Sequence, residues 1–182
     1  MNLSEKQLKK QTVYNGKIIN LRKDTAILPD GNTALREVVE HPGGVGVLAL
    51  TDDNNILMVK QFRYPYNEII YEIPAGKRNS KDEAPIECGK RELKEETGAT
   101  TDDFIFLGEV YPTPGYCEEI IYLYAAKNLS FGEMSPDDDE FIECEKLPLD
   151  KLVDDVISGK IKDAKTQIAI LKLKYLIDNN RI

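Results

Sequence analysis

The sequence predicts an α+β fold in which a mixed β-sheet is sandwiched between helices and preceded by a small antiparallel meander. Two observations lead to this prediction. Strand-like apolar runs lie on both sides of one helical stretch near residues 83–98, and two further helical stretches close the chain. Upstream, residues 12–40 contain two turn signals between short strand-like segments. With 182 residues and 41% hydrophobic content, the chain suits one compact domain with a small accessory piece.

The accessory piece is predicted to cover residues 1–41, and the main domain residues 42–182. The first ten residues are polar and are expected to form a frayed or short helical lead-in. Asn15-Gly16 is typical of a tight turn because both residues tolerate positive φ, and Pro29-Asp-Gly-Asn32 indicates a second turn. A three-stranded meander is marginal alone, so this one is expected to pack on its own domain or on another subunit.

The main domain is predicted to begin with Val45–Leu50, an unbroken apolar run suited to a strand buried on both faces. Further strands are expected at 56–64, 69–73, 104–110, 119–126 and 141–146. Helices are expected at 149–159 and 163–179, the second with an apolar stripe that includes Ile168, Leu171 and Tyr175.

The helix between the strands has clear local boundaries. Asp82 is predicted to be its N-cap, Pro85 falls in the first turn, where its missing N–H matters least, and Gly98 supplies the C-terminal stop. A polar loop and the turn Pro74-Ala-Gly76 precede it.

This helix concentrates carboxylates on one face. Glu92, Glu95 and Glu96 project onto a sector roughly 100° wide, where like charges repel unless a cation lies between them. Oxygen ligands without histidine indicate a hard metal, Mg²⁺ or Mn²⁺. Arg91 stands four residues before Glu95, the spacing at which the two side chains meet. Taken alone, Glu-Leu-Lys-Glu-Glu is also typical of an ordinary solvated helix face.

The whole arrangement resembles the Nudix box, the signature of the Nudix hydrolase superfamily. Gly76 follows Pro-Ala, Glu83 follows the polar loop, and Arg91-Glu-Leu-Lys-Glu-Glu-Thr-Gly98 completes the pattern. One spacing departs from the family, because six residues rather than five separate Gly76 from Glu83. Insertion into a loop costs little, so the carboxylate geometry is expected to survive.

Beyond the box, residues 13–152 resemble the ADP-ribose pyrophosphatase branch of this superfamily. Lys60-Gln-Phe-Arg-Tyr-Pro65 and Tyr71-Glu-Ile-Pro-Ala-Gly76 are similar to the branch's strand pair ahead of the box. Thr113-Pro-Gly-Tyr116 resembles its Ser-Pro-Gly-aromatic signature, with threonine in place of serine. The resemblance implies the Nudix αβα sandwich and Mg²⁺-dependent hydrolysis of ADP-ribose to AMP and ribose 5-phosphate, with Mn²⁺ as a possible substitute.

The resemblance also implies roles for individual residues. The metal ligands would be the Ala75 carbonyl and the carboxylates of Glu92, Glu95 and Glu96. Glu95, Glu96 and Glu140 would be the catalytic residues. The candidate substrate-binding residues are Arg36, Arg63, Glu72, Pro114 and Gly115. Arg63 would hold phosphate or ribose oxygens because its fork matches two oxygens, and Glu72 would bind the adenine or ribose.

Glu140 belongs to an acidic run, residues 137–140, that resembles the catalytic loop of this branch. Its role would be to position or deprotonate the attacking water. Asp139 is an equally local alternative for the same role, and such a run is also typical of a solvated loop.

The charge and cysteine content limit the kinds of binding partner and the cellular location that are expected. A net charge of −8 argues against nucleic acid or an anionic membrane as the main partner. Three cysteines without metal-site spacing favour a reducing cytoplasm, and no apolar run predicts a signal peptide or membrane span. The branch resemblance implies a homodimer in which the N-terminal meander completes the partner's nucleoside pocket.

Two other functions share these features. A Nudix enzyme acting on another nucleotide sugar or nucleoside diphosphate derivative would use the same metal chemistry. A non-catalytic Nudix module would bind a nucleotide without cleaving it, although the three intact carboxylates weigh against this.

Overall fold

The computed structural model describes residues 2–137 and 140–182, so Asp139, the alternative loop base, lies outside the described residues. The helices are α1 (Pro85–Thr97), α2 (Leu149–Ile157) and α3 (Ala164–Asp178). The strands are β1 (Lys6–Asn15), β2 (Asn20–Ile27), β3 (Thr33–Glu40), β4 (Gly44–Ala49), β5 (Asn55–Arg63), β6 (Glu68–Glu72), β7 (Ala75–Lys77), β8 (Ala99–Thr100), β9 (Asp103–Val110), β10 (Ile121–Lys127), β11 (Ser130–Phe131) and β12 (Ile142–Pro148). No helix within the described ranges has both the length and the apolar character that crossing a membrane requires.

Strand β4 lies at the centre of the main domain. It pairs in parallel with β10 and antiparallel with β7, in a mixed sheet of order β7-β4-β10-β9. A second sheet has the order β12-β5-β6, and β8 pairs with β11. All six residues of β4 are buried, as the apolar run predicts.

Alternate residues of β4 serve two separate cores. Val45 and Val47 pack with Leu93 of α1 on one face. Leu48 packs with Leu152 of α2 and Leu173 of α3 on the other face. Because successive side chains of a strand point to opposite faces, the sheet is covered by helices on both sides. The predicted αβα sandwich is confirmed.

The N-terminal region is a three-stranded antiparallel meander of order β1-β2-β3, as predicted, but its first strand starts earlier than expected. Residues 6–10 pair with β2 instead of forming a frayed or helical lead-in. Gln7 donates a hydrogen bond to Asp24 (2.8 Å) and Lys10 forms an ion pair with Glu40 (2.6 Å). All ten residues of β1 are exposed, so the strand has no apolar alternation to reveal it in the sequence.

The meander is joined to the main domain through β3. The Val39 N–H donates to the Tyr116 carbonyl (2.7 Å), and the Glu118 N–H donates to the Val39 carbonyl (3.0 Å). This pairing fixes the segment that carries the Pro114-Gly115 signature against the meander.

Two details of the helices differ from the prediction. Helix α1 is capped by Ala84 without a side-chain hydrogen bond, so the assignment of Asp82 as N-cap was wrong. Pro85 begins the helix because its φ is already helical, and Gly98 ends it with φ of 69°. In α3, Leu171 and Tyr175 are exposed, and the buried face consists of Thr166, Ala169, Ile170 and Leu173. Ile168 of the predicted stripe is partly buried and packs against the core, so periodicity identified only part of the buried face. The helix carries apolar residues on more than one face.

Candidate active site

The turn between β6 and α1 brings two carboxylates against the backbone of β7. Strand β7 is held by β4, with Gly76 opposite Val45. The Ala75 N–H donates a hydrogen bond to Glu96 Oε2 (3.0 Å). A Cβ added to Gly76 would lie 2.0 Å from both Cδ and Oε1 of Glu92, so only glycine leaves room for that carboxylate. Glu92 and Glu96 are both buried.

Burial gives these carboxylates unusual acidities. It raises the pKa of Glu92 to about 7, although Arg91 opposes the rise. It raises the pKa of Glu96 to about 8, with the Ala75 N–H opposing and the charges of Glu92 and Glu140 adding to the rise. Repulsion between buried carboxylates is relieved by a cation, and a donor set made only of oxygen atoms fits a hard divalent ion.

Glu95 is more exposed than this buried pair. It is only partly buried, and Arg91 Nη1 donates a hydrogen bond to its Oε2 (3.0 Å). The i, i+4 contact between Arg91 and Glu95 is therefore present as predicted. Arg91 Nη1 also lies 2.7 Å from Glu92 Oε1, so one guanidinium bridges two of the three box carboxylates. Among the residues that the structure describes, no three acidic, histidine or cysteine side chains already surround a common metal position.

Glu140 is half-buried ahead of β12, and its N–H donates to the Asp137 carbonyl (2.9 Å). Its charge contributes to the raised pKa values of Glu92 and Glu96, which places it within electrostatic reach of both. The role of Glu140 as the catalytic base stays a prediction.

Arg63 and Glu72 contact each other. Arg63 Nη2 donates to Glu72 Oε2 (2.7 Å), and Arg63 Nε donates to Glu72 Oε1. Burial by itself would raise the pKa of Glu72, but the hydrogen bonds and charges of Arg63 and Lys165 lower it. The hydrogen bond to Glu72 raises the pKa of the Arg63 guanidinium, and the charges of Asp163 and Glu96 add to the rise.

The remaining substrate-binding candidates lie in two places. Pro114 and Gly115 line a surface depression of about 370 Å³, together with Val38, Tyr111, Tyr116 and Ile120. Arg36 instead forms an ion pair with Glu5 inside the meander (2.6 Å), with 43% of its side chain exposed.

Sequence reasoning missed two cationic residues with little solvent exposure, the buried Arg78 and the largely enclosed Lys165. Arg78 is 8% exposed and donates to the carbonyls of Glu83 (2.9 Å) and Pro42 (3.3 Å), which fixes the loop that carries the extra residue. Lys165 contacts Glu72, 93 residues away in the sequence. A lysine or arginine in a polar stretch is normally exposed, so the local sequence gives no sign that Arg78 and Lys165 are enclosed.

The αβα fold and the carboxylates at the glycine turn are those of a Nudix protein. The NUDIX domain description matches residues 33–168, and the chain belongs to this family. The description "Nucleoside diphosphate sugar hydrolase N-terminal domain" matches residues 5–39. Nudix hydrolases generally depend on a divalent metal ion, which agrees with the oxygen donor set.

Individual relatives are similar over almost the whole chain. The ADP-ribose pyrophosphatase of Bacillus subtilis is 42% identical over 175 residues, which cover 95% of this chain and 94% of that protein. The methanol dehydrogenase activator of Bacillus methanolicus is 41% identical over 172 residues, or 93% and 92% of the two chains. The crystal structure of an ADP compounds hydrolase matches all of both chains with a TM-score of 0.84 at 19% identity, which shows the shared fold.

Proposed function

We propose that this protein hydrolyses the diphosphate bond of ADP-ribose, releasing AMP and ribose 5-phosphate, with Mg²⁺ as its metal. The observation that carries the proposal is the 42% identity, over 95% of the chain, to a relative named for this reaction. The buried carboxylates at Gly76 support it, because a Nudix chain without catalysis would have no need to keep such costly groups.

Glu92, Glu96 and the Ala75 carbonyl would hold the metal, with Glu95 as a further ligand or orienting group. When bound, a divalent cation would neutralise the diphosphate and lower the pKa of a coordinated water. Arg91 restrains Glu92 and Glu95 from the same side, which fixes the carboxylates before the substrate arrives. Mn²⁺ is an alternative because its oxygen coordination is similar.

Glu140 positions the attacking water and accepts its proton. The water oxygen bonds to one phosphorus, the bridging P–O bond breaks, and the other phosphate leaves. The position of Glu140 near Glu92 and Glu96 supports this role.

Arg63 binds the diphosphate through its planar fork, and Glu72 contacts the nucleoside. Pro114 and Gly115 shape the depression in which Tyr111 and Tyr116 offer aromatic faces. Arg36 adds a contact from the meander. Residues 1–41 serve as the dimerisation and pocket element, and residues 42–182 as the catalytic domain.

The proposed assembly is a homodimer built on the meander. The exposed side chains of Leu8, Val13 and Tyr14 on β1 support this, because a second copy would remove apolar surface from water. Gel filtration should give about twice the 20.6 kDa of one chain. The three free cysteines support a cytoplasmic location.

Release of AMP from ADP-ribose in the presence of Mg²⁺ is the deciding assay. Glu96→Gln should remove most of the turnover, since it replaces a ligand charge while keeping the shape. Glu87→Gln is the matched control on the same helix, because the Glu87 side chain is 64% exposed. Wild-type turnover in Glu96→Gln would reject the site, and no AMP from the wild-type protein would reject the activity. A panel of other nucleotide sugars separates the enzyme alternatives, and binding without cleavage would identify a non-catalytic module.

A second candidate function is activation of a methanol dehydrogenase. It is favoured by the 41% identity to a relative that carries this name. Adding the purified protein to a methanol dehydrogenase should increase its rate if the candidate is right, and the same protein with Glu96→Gln shows whether hydrolysis is needed.

A further inference from the structure

Glu72 has two cationic partners that differ in their access to solvent. The carboxylate is 2% exposed at the end of β6. Arg63 reaches it from a side chain that is 37% exposed. Lys165 reaches the same carboxylate from α3 with only 10% of its side chain exposed. One partner is therefore open to a ligand from solution, and the other is enclosed by the protein.

Lys165 is held in place by the first turn of α3. Asp163 caps the helix by accepting a hydrogen bond from the Thr166 N–H (2.9 Å). Thr166 Oγ1 accepts a hydrogen bond from the N–H of Ile73, the residue after Glu72 (2.9 Å). Lys165 also lies 3.1 Å from Asp163. The Thr166–Ile73 hydrogen bond thus joins the helix start to the strand end beside the Lys165 contact, and Asp163 orders the helix start itself.

A buried carboxylate that loses its only cation is strongly destabilised. If Arg63 were that only cation, turning it toward a substrate would leave Glu72 unpaired in the protein interior. With Lys165 present, Glu72 keeps one charge-assisted hydrogen bond after Arg63 departs. Arg63 and Lys165 share the Glu72 carboxylate, and Lys165 lies 3.1 Å from Asp163, so a diphosphate that binds Arg63 would lie close to this group of charges.

We propose that Lys165 is a positioning residue that keeps Glu72 paired and so frees Arg63 to bind the diphosphate of the substrate. The inference rests on the proposed function, because it takes Arg63 as the diphosphate contact. Two carboxylates, Glu72 and Asp163, balance the two cations before binding, and the substrate's negative charge replaces Glu72 as the partner of Arg63. Without Lys165, Arg63 would be held by Glu72 and substrate would bind less tightly.

The test compares Lys165→Met with Lys162→Met. Lys162 is the matched control because it pairs with Glu68 on the same strand β6 (2.7 Å), but at the surface, with 59% of its side chain exposed. The probe is α,β-methylene-ADP, whose bridging carbon prevents cleavage, and its dissociation constant is measured by calorimetry in MgCl₂. Lys165→Met should weaken binding about tenfold or more, the effect of one charge-assisted hydrogen bond. Lys162→Met should change it less than about twofold.

A second comparison separates positioning from a merely structural role. In a Glu72→Gln background no carboxylate holds Arg63, so adding Lys165→Met should change the dissociation constant by less than about twofold. For ADP-ribose, Lys165→Met should raise KM much more than it lowers kcat. Wild-type affinity in Lys165→Met, or an equal loss in the Glu72→Gln background, would overturn the inference.

The role of Lys165 can still be tested if the Lys165→Met variant does not fold. Should Lys165→Met not fold, the comparison of Glu72→Gln with Glu72→Gln/Lys165→Met gives the answer, because neither protein leaves an unpaired carboxylate at position 72. Binding of α,β-methylene-ADP requires no cleavage, so absence of AMP release would reject the proposed activity and still leave the binding result decisive. No measurable binding of the probe to the wild-type protein would reject the inference itself.

Discussion

Replacing Gly76 by alanine should disable the site while leaving the fold largely intact. The added Cβ would lie 2.0 Å from Cδ and Oε1 of Glu92 and 2.3 Å from Oε2. Ordinary carbon–oxygen contacts lie at about 3.4 Å, so the carboxylate must move by roughly 1.4 Å. The obstructing atoms belong to the end of a flexible side chain, so this movement is cheap in stability but displaces a proposed metal ligand.

The expected consequence is a large loss of turnover. A misplacement of about 1 Å at a reacting centre can cost about 100-fold in rate, so kcat/KM for ADP-ribose should fall by about that factor or more. Steady-state release of AMP measures the rate, and a thermal melt should shift by only a few degrees. Gly132→Ala is the control, because its added Cβ would meet only the Gly98 carbonyl at 3.7 Å. Unchanged kcat/KM in Gly76→Ala would refute the placement of Glu92.

Three further outcomes are expected. Leu173→Ala should destabilise the fold by about 2–5 kcal/mol in denaturant unfolding because Leu173 is fully buried, whereas Leu171→Ala should cost less than about 1 kcal/mol. In metal-free protein, burial raises the folded-state pKa values of Glu92 and Glu96 to about 7 and about 8. Between about pH 5 and 8 the unfolded state therefore binds fewer protons than the folded state. The free energy of unfolding should fall as pH rises through that window. Saturating MgCl₂ should raise the melting temperature at pH 8 and flatten this pH dependence, and EDTA should restore it; a melting temperature indifferent to Mg²⁺ would contradict the metal site.

Elements with local signals could be predicted from the amino-acid sequence. The continuous apolar run of β4, the helix between Pro85 and Gly98 and the Arg91–Glu95 contact all follow from side-chain periodicity, turn chemistry and fixed helical spacing. The family resemblance, read from the box and the residues around it, was confirmed. The roles of the individual site residues stay predictions until the variants are measured.

Contacts between distant segments could not be predicted from local patterns, because they depend on how the elements pack in three dimensions. The strand β1 exists because polar residues from Lys6 onward pair with β2, and no periodicity marks them. The buried face of α3 is the one that packs on β4, β9 and β10, and periodicity could not single it out because the helix has apolar residues on several sides. The pairing of Lys165 with Glu72 joins residues 93 positions apart. A lysine in a polar stretch is normally solvated, and only packing determines which one is enclosed beside a carboxylate.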